Sequence, residues 1–223
     1  MPNPLLSTAH VLTVAATGAS GALFTRALLL ALEADERVKT VNFIASDNAL
    51  RVFAEELAIK GRNNLIPQLS GTKARKTQQQ SNDDIGGNVA SGSYPTHAMI
   101  VIPCSMGTLA RIAHGLAGNL IDRAADVCLK ERRKLILMVR ETPLHLGHLK
   151  SMLTLTEMGA IILPPVPGFY HKPQSVLDVV DHSVDRVLDL LGLPAEDAQR
   201  WDGGNAISGA ESKTTKPGIR KSK

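Results

Sequence analysis

"AMIVIPCSMGTLARIAHGLA", residues 98–117, passes from an almost unbroken apolar run into a segment of helical period through one short polar turn. The run does not alternate polar with apolar residues, so a strand built from it has to be covered on both faces. Strands buried on both faces belong to parallel sheets. The same unit recurs on either side. "HVLTVAAT" (10–17) reads as a strand and "SGALFTRALLLALEAD" (20–35) as a helix with an apolar face. "VNFIAS" (41–46) is a strand followed by a helix from Asp47 to Lys60, and "IDRAADVCLKERR" (121–133) is helical. "KLILMV" (134–139) and "AIILP" (160–164) are strands flanking a helix at "LHLGHLKSMLTLTEMG" (144–159). The last helix, "SVLDVVDHSVDRVLDLLG" (175–192), carries Val176, Val179, Val180, Val184, Val187, Leu188 and Leu191 at amphipathic spacing. Five strands, most of them followed by a helix, predict a three-layer α/β/α fold with a parallel sheet, Rossmann-like in kind.

Length and composition narrow the possibilities. The 223 residues suffice for one core, so residues 1–193 are expected to form a single domain and 194–223 a basic, disordered tail. Within it, the polar, Gln-rich stretch 61–84 is expected as an exposed loop. Residues 201–223 hold five Lys/Arg against Asp202 and Glu211, which supplies +3 of the formal +4. The folded body is therefore close to neutral, and with only 3% aromatic residues there is no stacking platform for nucleic acid. Cys104 and Cys128 make no CxxC pair, which points to a reducing, cytoplasmic setting. No apolar run approaches 18 residues and no leader is evident, so neither a membrane span nor a targeting peptide is expected.

In parallel α/β folds ligands sit outside the carboxyl ends of the strands. The loops there are "TGASG" (17–21), "SDNA" (46–49), "PCSMGT" (103–108), "RETP" (140–143) and "PPVPGFY" (164–170). The first is a Gly-rich strand-to-helix turn whose free amides and Ser20 hydroxyl suit an anion. It lacks the spacing of a dinucleotide fingerprint or a P-loop. Ser46 reads first as an N-cap, and Ser105 and Thr108 offer hydroxyls and amides to a polar ligand edge. Arg140 and Glu141 emerge side by side from a buried strand, which is either a structural ion pair or part of a site. Arg123, Lys130, Arg140, Lys172 and Arg186 are each solvated surface cations unless several converge, in which case they form a phosphate clamp. Glu141 placed among such cations stays ionised and can move a proton. Cys104 reads as a small buried residue. His145 and His148 stand i,i+3 with only Glu141 upstream, which is not a metal-ligand pattern.

"ATGASGA", "SGS", the long stretch from "PCSMGTLARIAHGLAGNLIDRAADVCLKERR" through "KLILMVRETPLHLGHLKSM", and "GAIILPPVPGFYHKPQSV" together resemble the UbiX-type flavin prenyltransferases over residues 10–193. These proteins were formerly described as 3-octaprenyl-4-hydroxybenzoate carboxy-lyases or phenylacrylic acid decarboxylases. The resemblance implies transfer of the dimethylallyl group of dimethylallyl phosphate to N5 and C6 of reduced FMN. The product, prenylated FMN, would serve a UbiD-type decarboxylase. It further implies metal-independent chemistry in a homo-oligomer, commonly a dodecamer, with sites at subunit interfaces. Carried over motif by motif, Gly18, Ala19, Ser20, Ser46, Ser105, Met106, Gly107, Thr108 and Arg140 would bind the flavin. Tyr170, Arg186, Lys130, Ser91 and Gly92 would surround the prenyl donor. Glu141, Ser20 and Arg123 would take part in catalysis. Other readings are a non-catalytic FMN carrier and a flavin-dependent cysteine decarboxylase.

Overall fold

The computed structural model describes residues 9–200 apart from Thr72, Asp197 and Gln199. The expected disordered tail therefore falls largely outside the described residues. The first half of the chain runs β1 (His10–Ala16), α1 (Ala22–Ala34), β2 (Val38–Ala45), α2 (Asp47–Leu57), α3 (Leu65–Ser70) and β3 (Thr77–Ser81). After a single 3-10 turn at Asn88–Ala90 come β4 (Ala98–Cys104), α4 (Met106–Ala113), α5 (Leu120–Lys130), β5 (Lys134–Val139), α6 (Leu146–Glu157), β6 (Ile161–Ile162) and α7 (Val176–Leu191).

All strand pairs are parallel and the order across the sheet is β3-β2-β1-β4-β5-β6. The connections reverse direction between β1 and β4, which opens a crevice at the carboxyl ends of these two strands. β4 is buried at every position, as its unbroken apolar run demands. Leu12, Val14, Phe43 and Met138 pack on one face with Leu28, Phe53, Leu69 and Val187, so α1, α2, α3 and α7 form one outer layer. Ala15, Ile44, Val101 and Leu137 pack on the other with Leu109, Ala124 and Leu155, so α4, α5 and α6 form the second. Phe43 is fully buried, and truncating a core aromatic of this kind costs about 3–5 kcal/mol.

The segment expected as an exposed loop, 61–84, instead contains the helix α3 and the strand β3, one strand more than the five expected. α3 buries Leu65 and Leu69. β3 has the sequence "TQQQS" and no apolar signal, yet it pairs with β2 from Val41↔Thr77 to Ala45↔Ser81. As an edge strand it needs little apolar surface of its own, and its position is set by distant partners. The Glu33 carboxylate on α1 accepts from the amides of Arg75, Lys76 and Thr77 and from the Thr77 hydroxyl. Burial alone would push the Glu33 carboxyl up, but these hydrogen bonds hold it below the usual carboxylate range. On the inner side Gln80 donates to the buried Asn42 at 2.7 Å. β2 also starts earlier than its apolar run, at Val38, and β6 is only two residues long.

Candidate active site

Three strand-end loops are stitched together at the crevice. The Thr17 hydroxyl donates to the Pro103 carbonyl at 2.9 Å and accepts from the Ser105 amide at 2.8 Å, which ties the end of β1 to the end of β4. The Arg140 amide donates to the Cys104 carbonyl at 3.2 Å, and its Nε donates to the Ser20 carbonyl at 3.1 Å. Arg140 therefore fastens the end of β5 to the β1–α1 loop. Glu141 turns elsewhere, accepting from the Thr142 amide at 3.0 Å. The adjacent charges are thus not an ion pair with each other. At position 18 a Cβ would lie 2.5 Å from Cβ of Asn48, so only glycine lets this loop approach α2 so closely.

Beside these loops lies a cavity of about 420 Å³ lined by Ser46, Asp47, Asn48, Asn82, Thr108, Arg111, Gly118, Asn119, Ile121 and Asp122. Helices α2, α4 and α5 all begin at its wall, capped by Ser46, Ser105 and Asn119, whose side-chain oxygens accept from the amides of Ala49, Thr108 and Asp122. Three positive helix ends directed at one space favour an anionic ligand group. Asp122, with no side-chain exposure, is the opposing charge, and Arg111 pairs with it at 2.6 Å while Asn119 donates at 2.8 Å. Met106 and Gly107 fall in the first turn of α4, ahead of Thr108, and do not line this cavity.

Asn82, Arg111, Asn119 and Asp122 are not among the residues expected from the sequence, and Asn48 enters there only as part of the "SDNA" loop. The spacing of Asn119 and Asp122 ahead of an apolar period is a helix-start signature and marks that pair. Asn82 has no local signal: its side chain and backbone carbonyls accept from Ile121 and Leu120, which are far along the chain.

One expectation is corrected. The amides at the start of α1 are not an open anion site, because Glu56 from the last turn of α2 fills it. Its carboxylate accepts from Gly21 at 3.0 and 3.2 Å and from Ala22 at 2.8 Å. "TGASG" thus contributes backbone shape and Ser20, while Glu56, invisible to a reading of that loop, supplies the negative charge.

The expected donor residues fall into two groups. Tyr170 and Arg186 lie at α7, where a cavity of about 60 Å³ is lined by Met138, Leu163 to Val166, His182, Ser183 and Arg186. Arg186 is paired with Asp189 at 2.7 Å. Lys130, Arg123, Ser91 and Gly92 lie around α5, on the opposite layer: Arg123 Nε donates to the Ala90 carbonyl at 3.3 Å and its Nη1 to Asp126 at 2.6 Å. A Cβ at Gly92 would meet the paired side chains of Lys130 and Glu131. Within one chain the sheet separates the two groups. Cys104 is fully buried, and desolvation pushes its thiol up to about 12, so it stays protonated. Among the described residues no group of three or more His, Cys, Asp or Glu side chains is placed to hold a metal, and no helix is long and apolar enough to cross a membrane.

Residues 3–188 match the Flavoprotein family. A flavin prenyltransferase UbiX of Alkalihalophilus pseudofirmus is 42% identical over 193 residues, covering 86% of this chain and 96% of that protein. The crystal structure of AnUbiX (PadA1) in complex with FMN and dimethylallyl pyrophosphate superposes with a TM-score of 0.80 at 40% identity, over 88% of this chain and 100% of that one. A dodecameric FMN-dependent UbiX-like decarboxylase from Escherichia coli O157:H7 gives 0.79 at 42% identity, over 86% and 100%.

Proposed function

Because the chain belongs to the flavoprotein family and, within it, to the UbiX flavin prenyltransferases, we propose that it joins the dimethylallyl group of dimethylallyl phosphate to N5 and C6 of reduced FMN. The observation that carries this reading is the joining of Ser20, Ser105 and Arg140 into one rim beside a polar cavity ringed by three helix N-termini. The fit to a flavin mononucleotide rests on that chemistry: the helix ends and the hydroxyls of Ser46 and Thr108 suit a phosphate and a polyol chain, while the glycine loop lets backbone approach a flat ring. Gly18, Ala19, Ser20, Ser46, Ser105 to Thr108 and Arg140 are proposed to hold it.

Reduced FMN supplies the electron-rich positions that receive the carbon fragment. Cleavage of the allylic C–O bond leaves a phosphate with growing negative charge, and fixed cations stabilise that charge most where water is excluded. Tyr170 and Arg186 are proposed to grip this group. Arg123 and Lys130, with Ser91 and Gly92, reach it only from a neighbouring subunit, since the sheet bars them within one chain. Glu141, exposed and accepting from the Thr142 amide of its own loop, is proposed to move the proton lost as the new ring closes. Ser20 and Arg123 complete the proposed catalytic set.

Assembly fits the surface. Leu146, Leu149 and Leu153 stand exposed along one face of α6, and Phe169, Val176 and Leu177 are exposed around α7. Apolar faces of this extent mark subunit contacts, and we assign them to a homo-oligomer, a dodecamer as in the Escherichia coli relative. The product is proposed to serve a UbiD-type decarboxylase, in the cytoplasm. Anaerobic incubation of the protein with reduced FMN and dimethylallyl phosphate, then with the diphosphate, followed by mass spectrometry of the extracted flavin, tests the reading. The expected result is a flavin heavier by one dimethylallyl group. Unchanged FMN with both donors leaves a flavin carrier, and decarboxylation of a peptidyl cysteine would favour the remaining alternative.

A further inference from the structure

The segment between β6 and α7 meets the helix at a cluster of three rings. Tyr170 stands edge-on to both histidines, its centroid 5.3 Å from His171 at 81° and 5.7 Å from His182 at 83°. His171 lies over His182 at 4.3 Å and 31°. Gly168 leaves room for all three rings: a Cβ there would stand 3.0 Å from Tyr170 Cε1, 3.2 Å from His182 Nε2 and 3.5 Å from His171 Cε1. The Tyr170 oxygen is 3.5 Å from His182 Nε2, the outer limit of a hydrogen bond. Edge-to-face contact therefore fixes where the phenol lies, and the imidazole nitrogen sets which way its hydroxyl turns. His182 stands one helical turn before Arg186, and both line the small cavity closed on its other side by Met138 and Leu163 to Val166.

We propose that His182 is a positioning residue for the phosphate-ester end of the site: its ring holds Tyr170 against α7, and Nε2–H donates to the phenol oxygen, so that the phenol O–H is directed with Arg186 at the ester. This rests on the reading above that Tyr170 and Arg186 receive the donor phosphate. Tyr170 and His171 from the preceding segment and Arg186 on its own helix face His182, Asp189 pairs with the arginine, and Asp185 stands one turn along the same helix. Asp178 stands near His171. The cavity wall from β5 and the stretch after β6 adds none. Burial first, and then His171 and Arg186, hold His182 below the ordinary histidine range, so the ring is neutral in the free protein at neutral pH. A phosphate dianion beside it opposes all three effects. Ester binding therefore draws a second proton onto the His182 ring, which fixes Nε2 as the donor to the phenol oxygen, and affinity gains as pH falls toward the histidine range.

His182→Phe retains a ring for the cluster and removes Nε2. At about pH 6.5 the KM for dimethylallyl phosphate is expected to rise roughly fivefold to tenfold, the size of one lost hydrogen bond to a charged partner network. The kcat at saturating donor and the affinity for FMN should stay within about twofold, which a general loss of structure would not allow. The ratio of variant to wild-type KM should shrink as pH rises to about 8, and the ester's own titration cancels in that ratio. His182→Gln, whose amide also donates, should recover part of the KM at all pH values without the pH dependence. A ratio near one throughout the range overturns the inference. Binding of inorganic phosphate, read by calorimetry, gives the same comparison without turnover: a Kd unchanged by His182→Phe overturns it even if prenyl transfer proceeds. His182-dependent phosphate binding by a wild-type protein that forms no adduct would leave the positioning role standing and remove the proposed function.

Discussion

Removing the carboxylate of Glu56 tests whether the first glycine loop is a phosphate site or a turn already filled from within. Glu56 accepts from two otherwise unpartnered amides at the start of α1, and its charge also opposes the positive end of the α1 dipole. The side chain is exposed, so its worth lies at the low end of the range for charged hydrogen bonds. Glu56→Ala should then cost about 2 kcal/mol, and Glu56→Gln, which keeps one carbonyl acceptor, about 1 kcal/mol. For a chain of this size these correspond to melting shifts of roughly 4–8 and 2–4 °C. Thermal unfolding followed by circular dichroism, with and without millimolar phosphate, is the assay. Phosphate should stabilise Glu56→Ala more than wild type, because only the variant exposes the helix end. Equal melting temperatures for wild type and Glu56→Ala, with phosphate moving both alike, would refute the reasoning.

Gly18→Ala should lower FMN affinity by at least tenfold, measured by fluorescence quenching, because its Cβ would stand 2.5 Å from that of Asn48 and force the loop off α2; unchanged affinity would mean that the loop does not touch flavin. Glu141→Gln should keep FMN bound while slowing product formation, since it retains shape and loses the ionisable group; stopped-flow turnover at the wild-type rate would strip the role. Leu149→Glu with Leu153→Glu should shift the protein to smaller species in light scattering, the stripe on α6 being exposed in the single chain. Glu33→Gln should lower the melting temperature at neutral pH. Glu33 has a depressed pKa, so its stabilisation is present above the unfolded value near 4.5 and is lost as pH falls through the folded one. The gap between variant and wild type should therefore close in acid, and a gap constant with pH would contradict the assignment.

What could be read in advance follows the range over which each signal is encoded. The apolar runs of β1, β4 and β5 and the period of α7 are local, and each of these elements is found close to its expected bounds. β3 is the opposite case: three glutamines carry no strand signal, and the strand exists because Glu33 and Asn42, more than thirty residues away along the chain, reach its backbone and its Gln80. Glu56 was missed for the same reason, since the helix end it caps begins at Ala22.

Sequence by itself determined the kind of architecture, because runs apolar on both faces can be satisfied only by a parallel sheet between two helical layers. It also singled out the loops at the carboxyl ends of the strands and the motifs that name the family. Tertiary structure alone decided the strand order, and with it that Thr17, Ser20, Ser105 and Arg140 meet at one crevice. It also decided that Arg123 and Lys130 stand across the sheet from Tyr170 and Arg186. These outcomes depend on which distant surfaces pack together, and periodicity along a chain says which face of an element is buried without saying against what.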